Sequence, residues 1–210
     1  MTLSTRYFPL TLLLLAIWSC GSIDGGSRGT GITATVQGTV RSVQGVSGQD
    51  SSVEGIRASI QGHQAKSVTN SSGLFQVQGQ FSGHLTVLFT RKSEGLRATL
   101  PVYLPSAGIL TLNGVNIDTA TGTATPESAN VDFLGVLTQE DCAGQTLTML
   151  SAKRPAGDAD QYLVDLSDSS IVDSQGNPVS CSALQNGQTC HVQGSVENNG
   201  YFGNATIVVQ

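Results

Sequence analysis

Charge is what this sequence has least of. Only 12% of its 210 residues are Asp, Glu, Lys or Arg, and Lys and Arg together number ten. At a net charge of −5 there is no basic surface to neutralise phosphates, so nucleic acid is not expected as a partner. Aromatic residues are scarce too, at 5%, and the single tryptophan, Trp18, falls in the N-terminal apolar stretch. A tryptophan platform for sugars is therefore absent, and any exposed aromatic row would rest on residues such as Tyr201 and Phe202. Three histidines, His63, His84 and His191, include no two at metal-ligand spacing. His63 and His84 abut glycines at expected turns, and His191 alternates with Cys190 and Val192, so all three read as exposed surface histidines. No cofactor and no metal site is expected. Helical periodicity is missing as well, which turns attention to strands.

The most apolar stretch, Leu10 to Trp18, is shorter than the roughly 20 residues of a spanning helix. With Arg6 ahead of it, it fits the core of a signal peptide. Ile17-Trp18-Ser19-Cys20 follows and resembles the lipobox of bacterial lipoproteins. The resemblance implies a signal segment over 1–19 and a lipid on the sulfur of Cys20, the first mature residue. It places the protein in the bacterial cell envelope, and Gly21 in place of Asp implies the outer membrane. An ordinary secretory signal with a chance cysteine is the alternative. Residues 20–31, rich in Gly and Ser, read as a flexible tether. Gly25-Gly26-Ser27-Arg28-Gly29 matches a nucleophile elbow and Gly29 to Ala34 a dinucleotide fingerprint. Neither has the strand and helix that such motifs require.

What the sequence does have is 25 glycines, abundant Ser, Thr and Gln, and 39% hydrophobic residues, enough for a packed core. Residues 33–118 carry six Lys or Arg against four Asp or Glu, or +2. Residues 131–210 carry two against nine, or −7, so two separately folded units are expected. Apolar residues alternate with period two: Ala34, Val36 and Val40; Ile56, Ala58 and Ile60; Leu85, Val87 and Phe89; Leu96 to Leu104; Ile109 to Ile117. Clusters of Gly, Ser, Asn and Pro separate these runs. The class is all-β.

Val36-Gln37-Gly38-Thr39-Val40, Val53 to Ala58, and Val68-Thr69-Asn70-Ser71-Ser72-Gly73-Leu74-Phe75 together resemble the carboxypeptidase regulatory-like domain. That likeness implies a transthyretin-like β-sandwich over 32–118, with Asn70 in place of the family's Asp, Gly73 at positive φ and Phe75 in the core. It also implies a non-catalytic accessory module. Residues 119–130 have almost no large apolar side chain and read as a linker.

In 131–210 the candidate strands are 131–138, 146–151, 162–166, 189–194 and 201–209, with one short helical turn around Ser182-Ala183-Leu184. Phe133-x-Gly135-x-Leu137, Leu184 to Gly194 and Gly200 to Ile207 resemble small OB-like barrel domains of unknown function found in bacterial lipoproteins. A jelly roll or second sandwich competes.

Of the mature cysteines, Cys142 and Cys181 lie in expected loops, which meet disulfide geometry more readily than barrel positions. They are expected to pair, leaving Cys190 as a buried thiol in phase with Val192; Cys181–Cys190 is the other pairing considered. Asp158, Asp160, Asp165, Asp168 and Asp173 lack the ordered spacing of a calcium loop and read as a solvated acidic face. The function expected is a lipid-anchored, non-catalytic binding or scaffolding module, with membrane and an unidentified protein or glycan as partners. The alternatives are a carbohydrate or peptidoglycan binder and a hydrolase using the Asp-rich half.

Overall fold

The computed structural model describes residues 32–45, 51–154, 160–198 and 201–210. The expectations for the signal segment, Cys20, the tether and Asp158 lie outside them. In chain order the strands are β1 (Ala34–Gln44), β2 (Arg57–Ile60), β3 (Lys66–Val68), β4 (Leu74–Gly79), β5 (Gly83–Arg91), β6 (Leu96–Leu104) and β7 (Ile109–Asp118). There follow β8 (Thr123–Thr125), β9 (Ser128–Asp141), β10 (Thr146–Ser151), β11 (Gln161–Asp165), β12 (Ser170–Val172), β13 (Thr189–Asn198) and β14 (Tyr201–Val209).

The alternating apolar residues make the first core. β1 lies between β4 and β7, antiparallel to the former and parallel to the latter. β2 lies between β3 and β5, and β5 pairs in turn with β6. These two layers close over Val36, Val77, Val87, Leu112 and Ile117, all fully buried. Phe75 of β4 meets Phe89 of β5 edge to face across them, with ring centroids 5.5 Å apart. Each such side chain taken from water contributes about 1.5–3 kcal/mol.

The Thr69–Phe75 turn shows why its residue types are needed. The buried Thr69 hydroxyl donates to the Val53 carbonyl at 2.6 Å and accepts from the Ile56 amide at 2.9 Å. The Asn70 side-chain oxygen accepts from the Ser72 and Leu74 amides, both at 3.0 Å, closing the turn as an Asp would. Gly73, at φ 74°, leaves no room for a Cβ, which would lie 2.2 Å from the Val40 carbonyl oxygen. Buried Arg91 pins the neighbouring loop by donating to the Ser52 and Glu54 carbonyls at 2.7 and 2.8 Å.

The second half closes into a five-stranded barrel of OB-like order. β9 pairs with β10, β10 with β11, β11 in parallel with β14, β14 with β13, and β13 returns to β9. Its core holds Phe133, Leu137, Leu147, Met149, Tyr162, Val192 and Phe202. The short helical turn lies at Cys181–Ala183, and Leu184 after it reaches the barrel core. β12 extends the sheet by pairing in parallel with β14.

The segment 119–130 departs from the linker expectation. The Asp118 carboxylate accepts from the Ala120 and Thr121 amides, the chain reverses, and β8 pairs back onto β7. From Ser128 onward β9 pairs with β7 before it enters the barrel. Small Thr and Ala side chains suit a short strand that buries only Ala124, so their low hydrophobicity does not mark a tether. β9 is thus shared between both units. Tyr103, at the end of β6, adds a second tie: it packs in the barrel core, 5.4 Å from the Tyr162 ring.

Candidate functional site

Because β9 is shared, one sheet runs without interruption through β4, β1, β7, β9, β13 and β14. One face of it covers the two cores; the other bears the polar residues that alternate with the core positions. Register aligns these in rows across the strands. One row is Gln76, Gln37, Thr111, Asn130 and Ser195, from five consecutive strands. The next is Gln78, Thr35, Ile109, Asp132, Gln193 and Thr206, from six. The Gln37 amide donates to the Thr111 hydroxyl at 3.2 Å, which fixes both on the same face.

Three hollows of about 580, 390 and 470 Å³ lie along this face, neighbours sharing a lining residue. Thr111 belongs to the first and second, Asp132 to the second and third. Asp132 sits on the seam between the units. Its carboxylate oxygens are held separately, Oδ1 at 2.7 Å from His191 Nε2 and Oδ2 accepting from the Gln193 amide at 2.7 Å. A carboxylate only accepts, so His191 presents Nε2 as the protonated nitrogen. Near the hollows two residues other than glycine have left-handed backbones. Ala107, at φ 58°, follows Pro105 and Ser106 in a turn, and Asn204, at φ 46°, occupies a bulge in β14. Such conformations cost free energy and gather at functional surfaces.

The residues singled out from sequence are dispersed. His63 and His84 are exposed, His63 beside Phe81 and His84 within β5 rather than at a turn, its ring 4.5 Å from that of Tyr103. His191 faces outward but is engaged with Asp132, so it is not a lone solvated histidine. Tyr201 is exposed, whereas Phe202 is fully buried, so the two make no aromatic row. Two residues of the acidic cluster, Asp165 and Asp173, close turns. Asp165 accepts from the Ser167 amide, and Asp173 from the Asn177 side chain and the Gln175 and Asn177 amides. These bonds hold both carboxyls below the ordinary range. Among the described residues no three His, Cys, Asp or Glu gather where they could hold a metal ion. The Ser151 hydroxyl, at the third hollow, donates to the Ser106 carbonyl at 2.5 Å and is not presented to His191 as a nucleophile.

Cys142 and Cys181 lie at disulfide distance, with Cα atoms 5.7 Å apart across a separation of 39 residues. Cys190 is a fully buried thiol whose desolvation pushes its pKa up to about 11. A raised folded-state pKa means this thiol favours the fold at neutral pH, and that contribution fades as pH climbs towards 11. Non-reducing peptide maps should therefore show Cys142 linked to Cys181. Cys190 should resist iodoacetamide at pH 8 until the chain is unfolded. A linked peptide containing Cys190 contradicts the assignment. Closing a loop of this length stabilises the fold by roughly 2–4 kcal/mol.

Sequence reading alone missed Gln37, Thr111, Asn130, Asp132 and Gln193. Their only signal is polar residues at alternate strand positions, which becomes a site once register is known. No protein-family model, no curated protein and no solved structure matches the chain.

Proposed function

We propose that the protein is lipid-anchored in the bacterial cell envelope, at the outer membrane, and acts there as a non-catalytic binding module. In this reading the first unit is a carboxypeptidase regulatory-like, transthyretin-like domain and the second an OB-like domain. The Gly38 and Thr69–Phe75 features and the five-stranded barrel order support those names. The lipobox resemblance of Ile17 to Cys20 supports the anchor. The observation that carries the binding role is the polar, sparsely charged face running across the seam between the units, with its three adjoining hollows.

The rival reading, a hydrolase, draws on the His191–Asp132 pair, which has the form of a base with its orienting carboxylate. A non-catalytic role fits the surroundings better. Both oxygens of Asp132 are already engaged, the adjacent Ser151 hydroxyl is directed elsewhere, and Asp165 and Asp173 are spent on turns.

Two measurements on the full chain in its native envelope test the two parts of the proposal. Cys20→Ala should move the protein from the membrane fraction to the soluble one, or leave it unprocessed with its signal segment attached. Unchanged partition and unchanged mass refute the anchor. A photo-reactive residue at Asn130 should give adducts that the same residue at Gln175, in an exposed turn off the face, does not. Equal labelling at both positions refutes the binding face.

A further inference from the structure

We infer that the cross-seam face binds a linear, uncharged polysaccharide laid across the strands; this rests on the binding role proposed above and names its ligand class. The argument begins with what the face can offer. Four of its strands, β1, β7, β9 and β13, are internal to the sheet, so their backbone groups are committed to one another; β4 pairs with β1 alone. Across these four strands, where the seam lies, a peptide adding as a further strand finds no edge; the only one is at β4, at the end of the row. Recognition falls to side chains, and those available are amides and hydroxyls: Gln37, Gln76, Thr111, Asn130, Gln193 and Ser195. Each carries both donor and acceptor capacity, as does every sugar hydroxyl.

Charge narrows the class. The first row has no ionisable side chain and the second has Asp132 alone, near the middle of the run. Arg41, on the same strand as Gln37, is paired with Glu127. An anionic chain would meet the Asp132 carboxylate with Lys153, at the third hollow, as the one lysine or arginine lining the hollows, and a polycation would meet scattered carboxylates, of which Asp132 is already engaged twice. A neutral chain depends on neither sign. For it Asp132 is an oriented acceptor, held by His191 and Gln193, in the manner by which a carboxylate takes a hydrogen bond from a sugar hydroxyl.

Shape narrows it further. Five strands at about 4.8 Å spacing give a row of about 19 Å. That spacing is comparable with the advance per residue of an extended pyranose chain, so successive sugars would fall over successive strands. Ile109, 40% exposed, and Leu74, 51% exposed, place isolated apolar patches along the hollows where the C–H faces of sugar rings can rest. The scarcity of aromatic platforms points to modest affinity distributed along a chain rather than tight capture of one sugar.

The test is electrophoresis of the full chain, kept soluble in mild detergent, through native gels that contain a defined polysaccharide. Neutral gels would hold mixed-linkage β-glucan, xyloglucan, galactomannan or dextran; anionic gels would hold alginate or polygalacturonate. At least one neutral polymer should retard the protein and neither anionic polymer should. The N130A/Q193A double variant should bind that polymer at least tenfold more weakly at an unchanged melting temperature, while Q175A binds normally. The inference is overturned if no neutral polymer retards the chain, if only anionic ones do, or if N130A/Q193A is retarded like the parent. Adducts at Asn130 without retardation by any neutral polymer would refute the ligand class and leave the binding role standing. Neither adducts nor retardation would refute both.

Discussion

Gly38→Ala should destabilise the protein by roughly 3 kcal/mol or more, in the range of severe overpacking, although only one methyl group is added. Gly38 has an ordinary backbone conformation, not a left-handed one. On backbone grounds alone the change should be mildly stabilising, by about 0.4–1 kcal/mol, because it restricts the unfolded chain. Space reverses the sign. A Cβ at this position would lie 2.1 Å from the Leu112 carbonyl oxygen and 3.0 Å from its carbonyl carbon. These are backbone atoms of the paired strand, so no side chain can swing aside. The strand irregularity just beyond Gly38, between its pairing with Leu112 and that of Val40 with Val115, belongs to the same close approach. Urea unfolding decides the matter: a midpoint equal to or above the parent's would mean that β1 and β7 part at little cost.

Phe133→Ala should remove about 3–5 kcal/mol, the usual loss for a buried aromatic truncated to alanine. Phe133 is 2% exposed and its ring lies 5.5 Å from those of both Tyr162 and Phe202. It stands one residue past the last β9–β7 pair, where the shared strand passes into the barrel. Loss on this scale is a large part of a domain's net stability of about 5–15 kcal/mol. Near-ultraviolet dichroism reports it directly, because Tyr103 and Tyr162 both lie in the affected core. A variant with an unchanged tyrosine signal and an unchanged midpoint would show that the barrel core tolerates the vacancy.

Much of this fold was legible in sequence because period-two alternation depends only on local parity. Val36 and Val40, Val87 and Phe89, and Leu147 and Met149 announce their strands unaided. The Thr69–Phe75 turn was legible for a different reason: its side chains bond within a few residues of themselves. β8 and the start of β9 were not legible, since a short strand of Thr and Ala is defined by the partner it returns to. Phe202 could not be placed by parity alone, because parity fails at a bulge. Phe202 and Ala205 both point inward, three residues apart, only because the chain slips register around Gly203 and Asn204. The polar rows needed still more, namely the alignment of six strands drawn from both halves of the chain.

The place of β1 also decides how the molecule would bear a load. The described chain enters through β1, which is parallel to β7 along most of its length and flanked on its other side by β4. A pull on the amino end is therefore directed along the strand, against hydrogen bonds lying roughly across the line of force. Those bonds must yield together in shear rather than one after another as a zipper opens. Forced rupture is governed by the unfolding rate rather than by equilibrium stability. A strand clamped on both sides at the point where tension enters makes that rate slow.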